Sequence, residues 1–215
     1  MTNPRIILVT DPAFGDDVVI HCVRSVGSTL PRGWLCVQLR DKQRPRVGLR
    51  NFAWELREVT RAVGASLVVN GDAVVARDVG ADGVHLGRQA GSVDAARHVC
   101  GEKAWISIAA HSDEAVRGGV AARANAVLVS PVFSTRPPSS HEPMKGGRGL
   151  EALRSARSVS ANQLAIFALG GVTADNARSC MDAGADGVAL MRALLGDLEP
   201  ARVARAIHDA IAWRC

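Results

Sequence analysis

The sequence predicts a single (β/α)8 TIM barrel over residues 1–215, on three observations. An octapeptide, GADGVHLG at 80–87, returns as GADGVALM at 184–191, 104 residues further on. If that spacing covers four strand–helix units, each unit is about 26 residues long and the chain holds about eight. Short apolar runs and longer amphipathic stretches then alternate from end to end. Finally, 215 residues with 47% hydrophobic content suit one core of barrel size better than two small ones.

Strands are predicted over 6–10, 34–39, 66–69, 83–86, 105–109, 126–129, 165–169 and 187–190. Most of these runs are too short for helices and rich in Val, Ile and Leu, as suits strands covered on both faces. Helical patterns fall between them, over 17–26, 49–63, 72–79, 93–99, 113–122, 150–157, 174–182 and 201–213. Ser112 and Thr173 stand where caps of the fifth and seventh helices belong. Strict alternation of strand and helix calls for parallel strands joined by helical crossovers, and a barrel is the closed solution. Two segments break the rhythm, 41–48 (DKQRPRVG) and 134–148 (STRPPSSHEPMKGGR). Both follow C-terminal strand ends, the face where such barrels build their sites, so the longer one is read as an active-site loop.

The net charge of +5 favours anionic partners. The basic residues are scattered, all but Lys42, Lys103 and Lys145 are arginine, and aromatic content is 4% with no Tyr. Nucleic-acid binding wants clustered charge and stacking rings, so small phosphorylated ligands are the better expectation. Cys22, Cys36, Cys100, Cys180 and Cys215 form no CxxC pair and imply neither a metal site nor a disulfide framework. Reduced thiols, no signal-peptide pattern and no membrane-length apolar run lead to the expectation of a cytoplasmic protein.

Chemistry concentrates at predicted strand ends. Along Gln38-Leu39-Arg40-Asp41-Lys42, period two sends Gln38, Arg40 and Lys42 to one side. If that side is the barrel mouth, two cations and an amide converge there on an anion. Gly170 and Gly171 end strand 7 and open a helix, where backbone N–H groups and the helix N-terminus favour a phosphate. Met191 and Arg192 follow strand 8, and barrels often hold phosphate between these two loops. His85 on strand 4 and His111 after strand 5 are candidate proton carriers. No metal-ligand spacing, nucleophile elbow or P-loop occurs.

The ordered series VTD11, VQLRDK42, VVN70G, GADGVHLG87, AHS112, PVFST135, LGGVT173 and GADGV188 resembles the thiamine phosphate synthase and TenI family over nearly the whole chain. That resemblance implies a (β/α)8 barrel handling the thiazole phosphate and pyrimidine pyrophosphate halves of thiamine. It assigns Gln38, Arg40, Lys42 and Asn70 to the pyrimidine pyrophosphate, and Gly170, Gly171, Met191 and Arg192 to the thiazole phosphate. Thr135 matches a loop residue of the synthases. Their Thr-Lys is replaced here by Pro137 and Pro138, leaving Lys145 as a substitute. The carboxylates that bind magnesium in synthases correspond to Gly71 and Ala90, with Asp72 one position off and expected to turn elsewhere.

Asn70-Gly71, Gly91-Ser92 and Gly147-Arg148-Gly149 are closer to the TenI branch, some members of which are metal-independent thiazole tautomerases. Their catalytic His corresponds to Pro131, which leaves His111 or His85 for the proton transfer. The leading expectation is therefore a TenI-like barrel binding a phosphorylated thiazole, a tautomerase without cofactor, with His111 as proton carrier. The alternatives are a divergent thiamine phosphate synthase, with magnesium as its cofactor, and a non-catalytic phosphate-ligand-binding barrel. No nucleic-acid or membrane partner is expected, and a homodimer is left open.

Overall fold

The structure is a computed structural model that describes residues 4–87, 91–135 and 146–212. Its strands are β1 (Ile6–Val9), β2 (Leu35–Leu39), β3 (Ser66–Asn70), β4 (Gly83–Leu86), β5 (Trp105–Ala110), β6 (Ala126–Val129), β7 (Ala165–Leu169) and β8 (Gly187–Leu190). Each pairs in parallel with the next, and β8 closes on β1 through Ile6↔Val188. The helices are α1 (Asp16–Thr29), α2 (Arg46–Val63), α3 (Ala73–Asp78), α4 (Val93–Cys100), α5 (Asp113–Ala121), α6 (Glu151–Ser160), α7 (Ala174–Asp182), α8 (Arg192–Leu195) and α9 (Pro200–Ala212). The predicted eight-unit barrel is therefore the observed fold. None of the described helices is long and apolar enough to cross a membrane.

Strand alternation sorts the apolar residues into two cores. Ile7, Val9, Cys36, Val68, Trp105, Leu128 and Phe167 are among those that plug the barrel interior. Their neighbours, such as Ile6, Leu8, Val37, Leu67 and Ile166, join the layer between strands and helices. Trp105 and Phe167 meet edge to face inside, with ring centroids 6.2 Å apart, so the barrel is filled rather than hollow.

The duplicated pentapeptide lies at the entry to β4 and β8, opposite the strand ends that build the mouth, and its work is structural. Asp82 Oδ2 accepts the Leu67 N–H at 2.8 Å and Arg57 Nη1 at 2.7 Å. Asp186 Oδ2 does the same for Ile166 N–H at 2.8 Å and Arg157 Nη2 at 2.5 Å. Each aspartate thus pins its strand to the preceding one. The glycine that follows is dictated by space. A Cβ on Gly83 would sit 1.7 Å from the Trp105 carbonyl oxygen, and one on Gly187 would sit 2.7 Å from Phe167 Cε1.

Departures from the predicted boundaries have local causes. The 41–48 loop is shorter than expected because Asp41 folds 41–44 into a turn and α2 starts at Arg46, straight after Pro45. The first strand stops at Val9, and the hydroxyl of Thr10 accepts the Arg40 N–H at 2.8 Å. Asp72, predicted as helical, is the cap of α3, accepting the Val75 N–H at 3.0 Å. The single turn α8 has too few residues to show a period and is missed by pattern reading. Ser112 and Thr173 cap α5 and α7 as expected, and Asn176 completes a capping box with Thr173. Cys22, Cys36, Cys100 and Cys180 are free thiols, and burial pushes Cys180 up to about 11. Cys215 lies outside the described residues.

Candidate active site

The C-terminal strand ends surround a cavity of about 670 Å³, within the range of about 300–1,000 Å³ usual for small-molecule sites. Gln38, Arg40, Lys42, Asn70, His85, His111, Thr135, Gly170, Gly171, Met191 and Arg192 all line it. Every predicted site residue within the described chain is thus brought to one place. Lys145 lies outside the described residues, as does Ala90.

The parity of β2 explains one side. Cys36 points into the barrel plug, so Gln38, Arg40 and Lys42 follow on the same side toward the mouth. Gln38 is buried and donates Nε2–H to Asn70 Oδ1 at 3.3 Å, while its own Oε1 has no partner among the described residues. Asp41, of opposite parity, turns away. Burial pushes its carboxyl upward, but the hydrogen bonds from Arg44 and from the Gln43 and Arg44 N–H groups outweigh that and hold it below the usual range. Arg44 also forks onto Asp16 at 2.6 and 2.8 Å.

Across the cavity, Gly170 and Gly171 have φ of +100° and +65°. Their conformation is the left-handed one glycine tolerates, and neighbours leave no room for a Cβ. A Cβ on Gly170 would lie 2.8 Å from Pro131 Cβ, and one on Gly171 would lie 2.8 Å from Phe133 Cβ. The segment after β6 is laced onto this turn, Val132 N–H to Leu169 O at 2.9 Å and Phe133 N–H to Gly170 O at 3.0 Å. The short helix α8 starts at Arg192, an arrangement barrels commonly use beside a phosphate.

The two histidines differ in surroundings. His85 is buried, its Nδ1 2.9 Å from Ser107 Oγ. Desolvation, reinforced by Arg40, His111 and Lys42, pushes its pKa down to about 4, so it is neutral at pH 7. His111 is exposed at the rim, its Nδ1 2.7 Å from the Ser130 carbonyl oxygen. Ser107 and Ser130 are functional candidates that sequence reading passes over. Period two along β5 carries the first signal, because Ser107 is the register partner of His85.

The donor set among the described residues does not fit magnesium. That ion prefers oxygen ligands in an octahedral shell and is usually anchored by one or two carboxylates. No described carboxylate lines the cavity. Gly71 stands at one of the expected positions, and Asp72 is engaged in capping α3 and in a fork with Arg46 at 2.7 and 3.0 Å. No group of three or more described His, Cys, Asp or Glu residues has the proximity to hold a metal. Pro131, where the TenI resemblance leads one to expect a histidine, lines the cavity and offers no group to carry a proton.

Comparison with known proteins matches this arrangement to one family. The family model described as thiamine monophosphate synthase covers residues 6–194. The thiamine-phosphate synthase of Methanoculleus marisnigri is 38% identical over 176 residues, 82% of this chain and 81% of that protein. That of Methylococcus capsulatus is 37% identical over 179 residues, 83% and 77% of the two chains. Among solved structures, the thiamine phosphate pyrophosphorylase from Pyrococcus furiosus superposes with a TM-score of 0.82 at 24% identity, over 97% of this chain and 95% of that one. That likeness bears on the fold, whereas the sequence matches carry the relationship. The chain belongs to the thiamine monophosphate synthase family.

Proposed function

We propose that this protein is a transferase that joins a pyrimidine pyrophosphate to a thiazole phosphate, giving thiamine phosphate and pyrophosphate. This ranks the synthase above the tautomerase favoured on sequence alone, because the relatives 37–38% identical over most of the chain bear the synthase name. The observation that carries the reading is the pairing of two cationic flanks across one cavity. Arg40 and Lys42 line one side, and Arg192 with the Gly170–Gly171 turn lines the other. In a tautomerase acting on carboxythiazole phosphate the Arg40–Lys42 flank would face a single carboxylate, whereas two cations there match the larger charge of a pyrophosphate.

In the proposed reaction the pyrimidine methylene–oxygen bond breaks and pyrophosphate leaves with the electron pair. The thiazole nitrogen lone pair forms the new carbon–nitrogen bond. Gln38 and Asn70 orient the pyrimidine. Arg40 as a flat fork and Lys42 as a movable point charge offset the charge that builds on the leaving group. Arg192 and the N–H groups of Gly170 and Gly171 hold the thiazole phosphate, with Met191 and Thr135 beside the ligands. Among the described residues no carboxylate lines the cavity, which supports turnover without a carboxylate-anchored metal.

The test supplies hydroxymethylpyrimidine pyrophosphate and thiazole phosphate to the purified protein, with magnesium or with excess chelator. Thiamine phosphate should form in both. No product in either condition overturns the transferase reading.

A second reading, thiazole tautomerisation, is favoured by one observation: His111 has a hydrogen-bonded Nδ1 at an exposed rim, which leaves Nε2 to take a proton. Isomerisation of the carboxythiazole phosphate tautomer, followed by NMR in D2O, tests it, and His85→Gln and His111→Gln assign the proton carrier. Phosphate-ligand binding with neither reaction would leave a non-catalytic barrel. On each reading the partners are small phosphorylated heterocycles.

A further inference from the structure

His85 and His111 both line the cavity, and each has one ring nitrogen in a hydrogen bond whose partner decides where the proton sits. For His111 the partner is the Ser130 carbonyl oxygen at 2.7 Å. The Ser130 hydroxyl also lies 3.4 Å from Nδ1, but the carbonyl contact is much the shorter and a carbonyl only accepts, so in the neutral ring Nδ1 carries the proton and Nε2 the lone pair.

For His85 the partner is the Ser107 hydroxyl at 2.9 Å, which has the capacity both to donate and to accept. Burial resolves the choice. Ser107 is completely buried, and its Oγ has no other hydrogen-bond partner among the described residues. If His85 Nδ1–H donated to it, the serine proton would be stranded in the interior, at a cost of about 1–3 kcal/mol. If the serine donates to Nδ1, both groups are satisfied and the histidine proton resides on Nε2. Protonating both ring nitrogens would put an imidazolium under Arg40 and Lys42 in a desolvated site, where burial and charge both oppose it.

We infer that Ser107 is a positioning residue that holds His85 as the Nε2–H tautomer, opposite to that of His111, so that the mouth presents an imidazole donor on its floor and an imidazole acceptor at its rim. The consequence for ligands, which rests on the functional reading above, is a polarity rule. The floor N–H selects a lone pair, such as a heterocyclic ring nitrogen or a carboxylate oxygen. The rim Nε2 selects a proton-bearing atom. A neutral imidazole N–H of this kind polarises a substrate without giving up its proton.

The test is 15N–1H long-range NMR of the ligand-free full chain at pH 7, with the His85 signals identified by their loss in His85→Gln. His85 should show an unprotonated Nδ1 and a protonated Nε2, and His111 the reverse. Ser107→Ala should abolish the His85 pattern and leave that of His111 in place. A protonated His85 Nδ1 in the unmodified protein, or a His85 pattern indifferent to Ser107→Ala, overturns the inference. Because no substrate is present, failure of the transferase assay leaves this result untouched, and the two failures are separable.

Discussion

Replacing His85 by Gln should remove a specific part of the protein's acid sensitivity. An unfolded histidine titrates near pH 6.5, whereas burial beneath Arg40 and Lys42 pushes His85 down to about 4. Between those values the unfolded chain binds a proton that the native state refuses, so stability falls as pH falls. The contribution is fully present above about pH 6.5 and is lost progressively as the pH drops toward 4. From pH 8 to pH 5, linkage with these two values gives a loss of about 2 kcal/mol. His85→Gln is less stable at pH 8, because it disturbs the bond to Ser107, but it lacks this titration. Urea denaturation of both proteins at pH 8 and pH 5 should therefore show their stability gap narrowing by about 2 kcal/mol. A gap of the same size at both pH values would refute a buried, neutral His85.

Three further outcomes follow from the site and its frame. Arg192→Ala should weaken thiazole phosphate binding by at least about 1.5 kcal/mol by calorimetry, as expected for a charge-assisted contact, and an unchanged affinity would remove Arg192 from the phosphate site. Asp72→Ala should lower stability by about 1 kcal/mol through loss of the α3 cap while turnover persists. Turnover lost at undiminished stability would instead make Asp72 part of the machinery. Gly171→Ala should destabilise the fold by about 2–4 kcal/mol, because it combines a left-handed backbone with a 2.8 Å approach to Phe133. A thermal midpoint within a degree of the parent would contradict that packing.

The architecture was legible in the sequence because strand period and turn chemistry are local. Period two along β2 put Gln38, Arg40 and Lys42 on one side, and the barrel keeps them there. The Gly-Ala-Asp-Gly-Val repeat counted the units correctly, yet the role of its duplicated aspartates as strand pins is revealed only by their Leu67 and Ile166 N–H partners. What stayed hidden depends on contacts between distant segments. Ser107 gains its meaning from His85, 22 residues away, and the Ser130 carbonyl from His111, 19 residues away. The shortening of the 41–48 loop was hidden for a related reason, since the Asp41 turn and the Arg44–Asp16 fork form only once β1 and β2 lie side by side.

The most direct test of the two-flank mouth is a calorimetric titration of inorganic pyrophosphate into protein already saturated with thiazole phosphate. One pyrophosphate should bind per chain, with its affinity weakened by Arg40→Ala and little changed by Arg192→Ala. Displacement of thiazole phosphate by pyrophosphate, or equal sensitivity of both ligands to both substitutions, would contradict two separate anion grips.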